Sequence, residues 1–162
     1  MASEHDGRRD FDFLFGRWTV RNERLLRRLQ SCTEWLEFEA TQEAGPVLGG
    51  IGNVDHFHVA RHWADGQPFH GMTVRLFDPA AKQWSIYWAD SRSGQLQPPV
   101  VGRFENGHGV FFGEDTFDGR PIRVRFDWRV ASATSASWEQ AFSADDGKTW
   151  ETNWRMHFTR VA

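Results

Sequence analysis

In the stretch RPIRVRFDW, residues 120–128, Ile122, Val124, Phe126 and Trp128 alternate with Arg123, Arg125 and Asp127. A repeat of two puts the apolar set on one side of an extended chain and the charged set on the other, whereas a helix would scatter both around its circumference. WLEFEATQ repeats the pattern, with Leu36, Phe38 and Ala40 opposed to Glu37, Glu39 and Thr41. Further strand-like segments begin at Trp18, Ile51, Gly71, Gln83, Val100, Val110, Ala136 and Trp150, about ten in all. Between them AGPVLGG, RHWADGQP, FDPAAK, DSRSGQLQPP, ENGHG, FDGRP and SADDGKT supply the Gly, Pro, Asn and Asp of tight turns. The only helical signal is a short turn in DGRRDFDFLFG. Strands with one apolar face and short connections must close on themselves or stack as two sheets, because an open edge invites pairing with another chain. The expected fold is therefore all-β, an antiparallel up-and-down barrel of about ten strands, with a sandwich as the alternative.

A chain of 162 residues can bury a substantial core and suits one domain, 1–162, with residues 1–12 read as a loosely ordered N-terminal arm. No apolar run approaches the roughly 20 residues needed to span a bilayer as a helix. The opening MASEHDGRRDFD carries both signs of charge and no apolar centre, unlike a secretory signal, so a cytoplasmic location is expected. A net charge of −3 gives no electrostatic reason to expect nucleic acid as a partner. The expected partner is a small molecule rather than nucleic acid or a membrane, and the sequence leaves a homodimer open. Cys32 is the only cysteine, which excludes an internal disulfide and a cysteine-built zinc cluster. The one basic cluster, RLLRRL from Arg24 to Leu29, reads as a solvated turn or strand end.

SADDGKTW, residues 143–150, has Ser143, Asp145, Gly147, Thr149 and Trp150 in the order Ser-x-Asp-x-Gly-x-Thr-Trp. It resembles the Asp-box hairpin repeated around sialidase propellers. A propeller needs several four-stranded blades, far more chain than this, so the single copy reads as structural. Asp145 would accept backbone N–H groups across the turn, Gly147 would take a positive φ, and Trp150 would pack against the hairpin.

Gly16-Arg17-Trp18 opens the first strand, and Arg160 falls late in the last one, in WRMHFTR. This pairing resembles lipocalins and other calycin barrels, in which a terminal cation lies over that Trp and closes the base. With DFDFLFGRW, GNVDHF, GMTVRLFDPAAKQWSIYWADSRSG, PPVVGRFE, FDGRPIRVRFDW and WEQAFSADDGKTWETNWRMHFTR, nearly the whole chain is similar to a bacterial family of uncharacterised calycin-like proteins. The resemblance implies a lipocalin-like barrel and brings no activity or catalytic residues with it.

Polar residues on apolar faces are the candidate ligand anchors, since a buried polar group needs a partner. Asn22 follows Trp18 and Val20, Asn53 and Asp55 share a face with Ile51 and Phe57, and Gln140 sits between Trp138 and Phe142. Trp84, Trp88, Trp138 and Trp154 would give aromatic walls. In FFGEDTFDG the phenylalanines fall on both faces, so alternation does not decide whether Glu114 or Asp115 points inward; Glu114 is taken as a candidate. Together with Asp55 these acids offer a carboxylate pair for an isomerase or hydrolase acting on a small apolar substrate. His56 and His58 share one side of a strand with His62 shortly after, a spacing that can hold zinc. Their side opposes Ile51 and Phe57 and points to solvent, so no metal and no cofactor are assigned. His157 raises haem binding, as nitrobindin-like calycins hold haem through a late histidine, yet Trp154, Met156 and Phe158 occupy the apolar face and leave His157 outside.

Overall fold

The computed structural model describes residues 5–162. Ten strands follow one another: β1 (Gly16–Leu25), β2 (Trp35–Val47), β3 (Gly52–Val59), β4 (Phe69–Asp78), β5 (Gln83–Asp90), β6 (Val100–Glu105), β7 (His108–Phe117), β8 (Arg120–Ser132), β9 (Ser135–Ser143) and β10 (Glu151–Arg160). Each pairs antiparallel with its neighbour in sequence, and β1 pairs with β10 from Trp18 opposite Arg160 to Arg24 opposite Trp154, which closes the sheet. No edge is left unpaired, so the up-and-down barrel is realised and the sandwich is not.

Alternation places the core inside. Trp18, Val20 and Asn22 on β1, Phe57 and Val59 on β3, Trp84 and Ile86 on β5, and Trp154, Met156 and Phe158 on β10 are buried. Arg17, Arg21, Glu37, Glu39 and Glu43 line the outside of β1 and β2. No helix is long and apolar enough to cross a membrane. A bulge between Thr152 and Trp154 turns Asn153 inward, where it is fully buried.

The N-terminal segment departs from the expected loose arm. Residues 1–4 lie outside the described residues, but from His5 onward the chain folds across one end of the barrel. Phe11 and Leu14 are fully buried. The Phe11 ring meets Trp84 edge-on at 5.1 Å between centroids, Phe104 at 4.9 Å and Trp128 at 6.1 Å. Trp84 Nε1 donates to Gly7 O at 2.9 Å, which ties the segment to β5. A single 3-10 turn, Asp12–Leu14, leads into β1.

Candidate functional site

The barrel is sealed at that end. The Arg160 guanidinium lies 4.3 Å from the Trp18 ring centroid. Its Nη1 donates to Phe15 O, its Nη2 to Phe13 O at 2.6 Å and its Nε to Ala133 O at 2.9 Å. Trp18 Nε1 donates to Leu14 O at 2.9 Å. A cation on an indole plus three charge-assisted hydrogen bonds thus clamps the turn before β1 to the end of β10, as the pairing of Gly16-Arg17-Trp18 with Arg160 leads one to expect.

Above the seal lies a cavity of about 500 Å³, within the roughly 300–1,000 Å³ usual for small-molecule sites. Trp88, Trp128, Trp138, Trp154, Phe57 and Phe126 form much of its wall. Gly71 makes room for one of them: a Cβ there would fall 2.0 Å from the Trp88 ring, so only glycine lets that indole lie flat against β4. Trp88 Nε1 donates to Asp90 Oδ2 at 3.0 Å, which holds the ring in place.

The floor carries a buried ion pair. Arg75, on the inward face of β4 with Phe69, Thr73 and Phe77, is 2 % exposed. Its Nη2 donates to Asp55 Oδ2 at 2.6 Å and its Nη1 to Asn53 Oδ1 at 2.9 Å. Asp55 Oδ1 also accepts from Thr73 N at 3.2 Å. The guanidinium rests 5.1 Å from the Phe11 ring centroid and 5.8 Å from that of Trp128. The N-terminal segment therefore supplies one side of the floor.

The mouth is at the opposite end, where β1 runs into the loop of residues 26–34. Arg24 continues the inward face of β1, its guanidinium 4.8 Å from the Trp63 centroid and 5.5 Å from that of Trp154. Arg28 lies 4.8 Å from the Phe117 centroid and 5.3 Å from that of Phe142. The solvated reading of RLLRRL fails for these two residues, because the aromatic rim covers their guanidinium faces. Burial and the Arg28 charge pull the Arg24 pKa down to about 10, and burial also lowers that of Arg28, partly offset by Glu151. Both stay protonated at neutral pH. His62 is 6 % exposed, with its ring 3.8 Å from Trp63, and Ala64 N donates to its Nδ1 at 3.0 Å. Burial and the nearby Arg92 depress its pKa, and the Ala64 N–H at Nδ1 puts the proton of the neutral ring on Nε2.

The expected site residues divide. Trp88, Trp138 and Gln140 line the cavity, and Gln140 Nε2 donates to Asn153 Oδ1 at 2.8 Å. Asn22, Asn53 and Asp55 are inward and buried but stand behind the lining. Asn22 accepts from Trp154 Nε1 at 2.9 Å and donates to Val20 O, so it orients a wall residue. Asn53 and Asp55 hold Arg75. Glu114 is exposed on the outer face, while Asp115 reaches the mouth. The anticipated carboxylate pair is thus not assembled: Asp55 is locked in the floor by Arg75, and Glu114 is outside. His56 and His58 are exposed and His62 is at the mouth; among the described residues no three His, Cys, Asp or Glu side chains are grouped to hold a metal ion. His157 Nε2 lies 3.2 Å from Glu23 Oε1 on the outer face.

Sequence reasoning passed over Arg75, Gln42, Arg24 and Arg28. Alternation carries Gln42, in step with Leu36, Phe38 and Ala40, and Arg24, in step with Trp18, Val20 and Asn22.

The fold and site define a class, the closed ten-stranded antiparallel up-and-down barrel with a hollow interior. The chain is similar to an S-type phycobiliprotein lyase from Guillardia theta, with a TM-score of 0.63 at 11% identity over 100% of this chain and 98% of that one. It is also similar to a redesigned β-barrel, with a TM-score of 0.52 at 11% identity over 95% of this chain and 96% of that one. At such identity the likeness is one of fold. No family model matches the sequence, and no curated protein matches it.

Proposed function

We propose that this protein binds a small, largely apolar molecule in the barrel interior. The observation that carries the reading is the cavity of about 500 Å³ above a sealed base, walled by indole and phenyl rings and reached from one end. Aromatic walls supply contact area at little conformational cost, and sparse polar groups orient the ligand. Gln140, Arg75 and His62 are those groups, with Asn53 and Asp55 keeping Arg75 in place. The likeness of the barrel to a phycobiliprotein lyase supports an interior that houses a ligand. The site has no free pair of inward carboxylates and no inward histidine on β10, so binding is favoured over acid–base turnover and over haem held through His157.

Native mass spectrometry of freshly purified protein, beside a Val124→Trp variant whose indole fills the cavity, tests the proposal. The expected result is a retained small molecule on the parent and a bare mass for the variant. A parent that carries nothing and takes up no apolar probe refutes the reading.

A further inference from the structure

The charge around the cavity does not match the charge of the chain. The protein has a net charge of −3, yet four arginines, Arg24, Arg28, Arg75 and Arg92, line the cavity against two aspartates, Asp90 and Asp115. Two of these arginines are already neutralised: Arg75 by Asp55 and Arg92 by Asp65. Asp90 keeps its charge but spends its oxygens on the Trp88 indole and the backbone N–H groups of Arg92 and Ser93. Asp115 accepts from Thr116 N. Arg24 and Arg28 have no carboxylate within ion-pair distance among the described residues. Glu151, the nearest acid to influence Arg28, spends one oxygen on Leu29 N at 2.7 Å.

The wall also holds unsatisfied hydrogen-bonding capacity. The buried side-chain polar atoms left without a partner are all nitrogen donors: Arg24 Nε, Gln42 Nε2, Arg75 Nε, Trp128 Nε1 and Asn153 Nδ2. The first four belong to residues that line the cavity. Gln42, Arg75 and Trp128 are each more than nine-tenths buried. Leaving a buried donor unmade costs about 1–3 kcal/mol, but these atoms are sealed within the wall and present almost no surface to a guest.

We infer that the ligand is an apolar acid: its anionic head sits between Arg24 and Arg28 at the mouth, and its body lies against the indoles. This rests on the cavity-binding reading and sharpens it. Arg24 Nη1 donates to Leu25 O at 3.1 Å and its Nε is buried, so its Nη2 and the Arg28 N–H groups are left for a ligand, while Trp63, Trp154, Phe117 and Phe142 cover the guanidinium faces, a geometry suited to a carboxylate, sulfonate or phosphate.

Two fluorescent probes that differ by one charged group test this. 1-Anilinonaphthalene-8-sulfonate and N-phenyl-1-naphthylamine share the same aromatic body, and only the first carries a sulfonate. Both should bind one to one and displace each other, with the sulfonate probe tighter by about tenfold or more. In Arg24→Met/Arg28→Met that preference should vanish while the neutral probe still binds, which also reports an intact barrel; Arg28→Gln, outside the strands, is the milder variant and should lose part of it. Equal affinity in the parent, or a preference that survives the double substitution, overturns the assignment of an anionic ligand and leaves the cavity reading intact. Failure of both probes to bind the parent overturns the cavity reading and this inference together.

Discussion

At the scale of the residue, the decisive group is Arg75, a cation buried at the bottom of an aromatic barrel. Its desolvation is offset by Asp55, Asn53 and two flanking rings, and Asp55 is in turn fixed by Thr73 N. Taking one partner from a buried pair strands the other, which costs about 3–5 kcal/mol, whereas replacing both by apolar groups of similar size is often neutral. Asp55→Ala should therefore lower unfolding free energy by about 3–5 kcal/mol in urea titration, and Asp55→Leu with Arg75→Met should recover most of the loss. A fall below about 1 kcal/mol for Asp55→Ala would show that the pair does not hold the floor.

At the scale of the element, the hairpin joining β9 to β10 shows a motif serving structure. Ser143 Oγ donates to Asp145 Oδ1 at 2.8 Å, Thr149 N donates to the same oxygen at 2.8 Å, and Thr149 Oγ1 donates to Oδ2 at 2.5 Å. Gly147 takes φ +87° and donates its N–H to Ser143 Oγ. Trp150 reaches beyond its own hairpin, to Arg125 on β8 and the exposed Phe112 on β7. The three donors lower the Asp145 pKa from 3.8 to about 2. The stabilisation is therefore complete above about 3.8 and is withdrawn as pH falls through about 2. Asp145→Ala should melt several degrees below the parent at pH 7, and the gap should close in scans near the lower value; equal melting at pH 7 contradicts the structural role. The same scale explains how far the sequence could be read. β8 and β2 have one greasy side, so their inward residues follow from alternation. On β4, Met72, Val74 and Leu76 make the outward register look as apolar as Phe69 and Phe77 make the inward one, and the pattern hides Arg75; pairing of Phe77 with Trp84 across the hairpin resolves it. β7 misled for the same reason, since Phe112 is exposed and Glu114 follows it outward. Arg28 was illegible because its loop turns through positive φ at Leu29 and Ser31, neither of them glycine, a path set by the rim it packs on.

At the scale of the whole molecule, closure depends on the seam between the first and last strands. Arg160 holds that seam by covering Trp18 and donating to Phe13, Phe15 and Ala133. Arg160→Met keeps the stem and loses the cation and its donors, for a cost of about 2–4 kcal/mol. Hydrogen exchange should then quicken first in the amides shared by β1 and β10, well before those shared by β4 and β5; uniform acceleration would mean the seam is no weaker than the rest. The plug at the base has a further consequence. With Phe11 and Leu14 stopping the far end, the described residues leave the opening beside the arginine rim, so on the proposed reading an apolar acid would go in tail first and back out head first. On that reading the arginine rim would be both the way in and the way out, and loading and unloading would exclude each other.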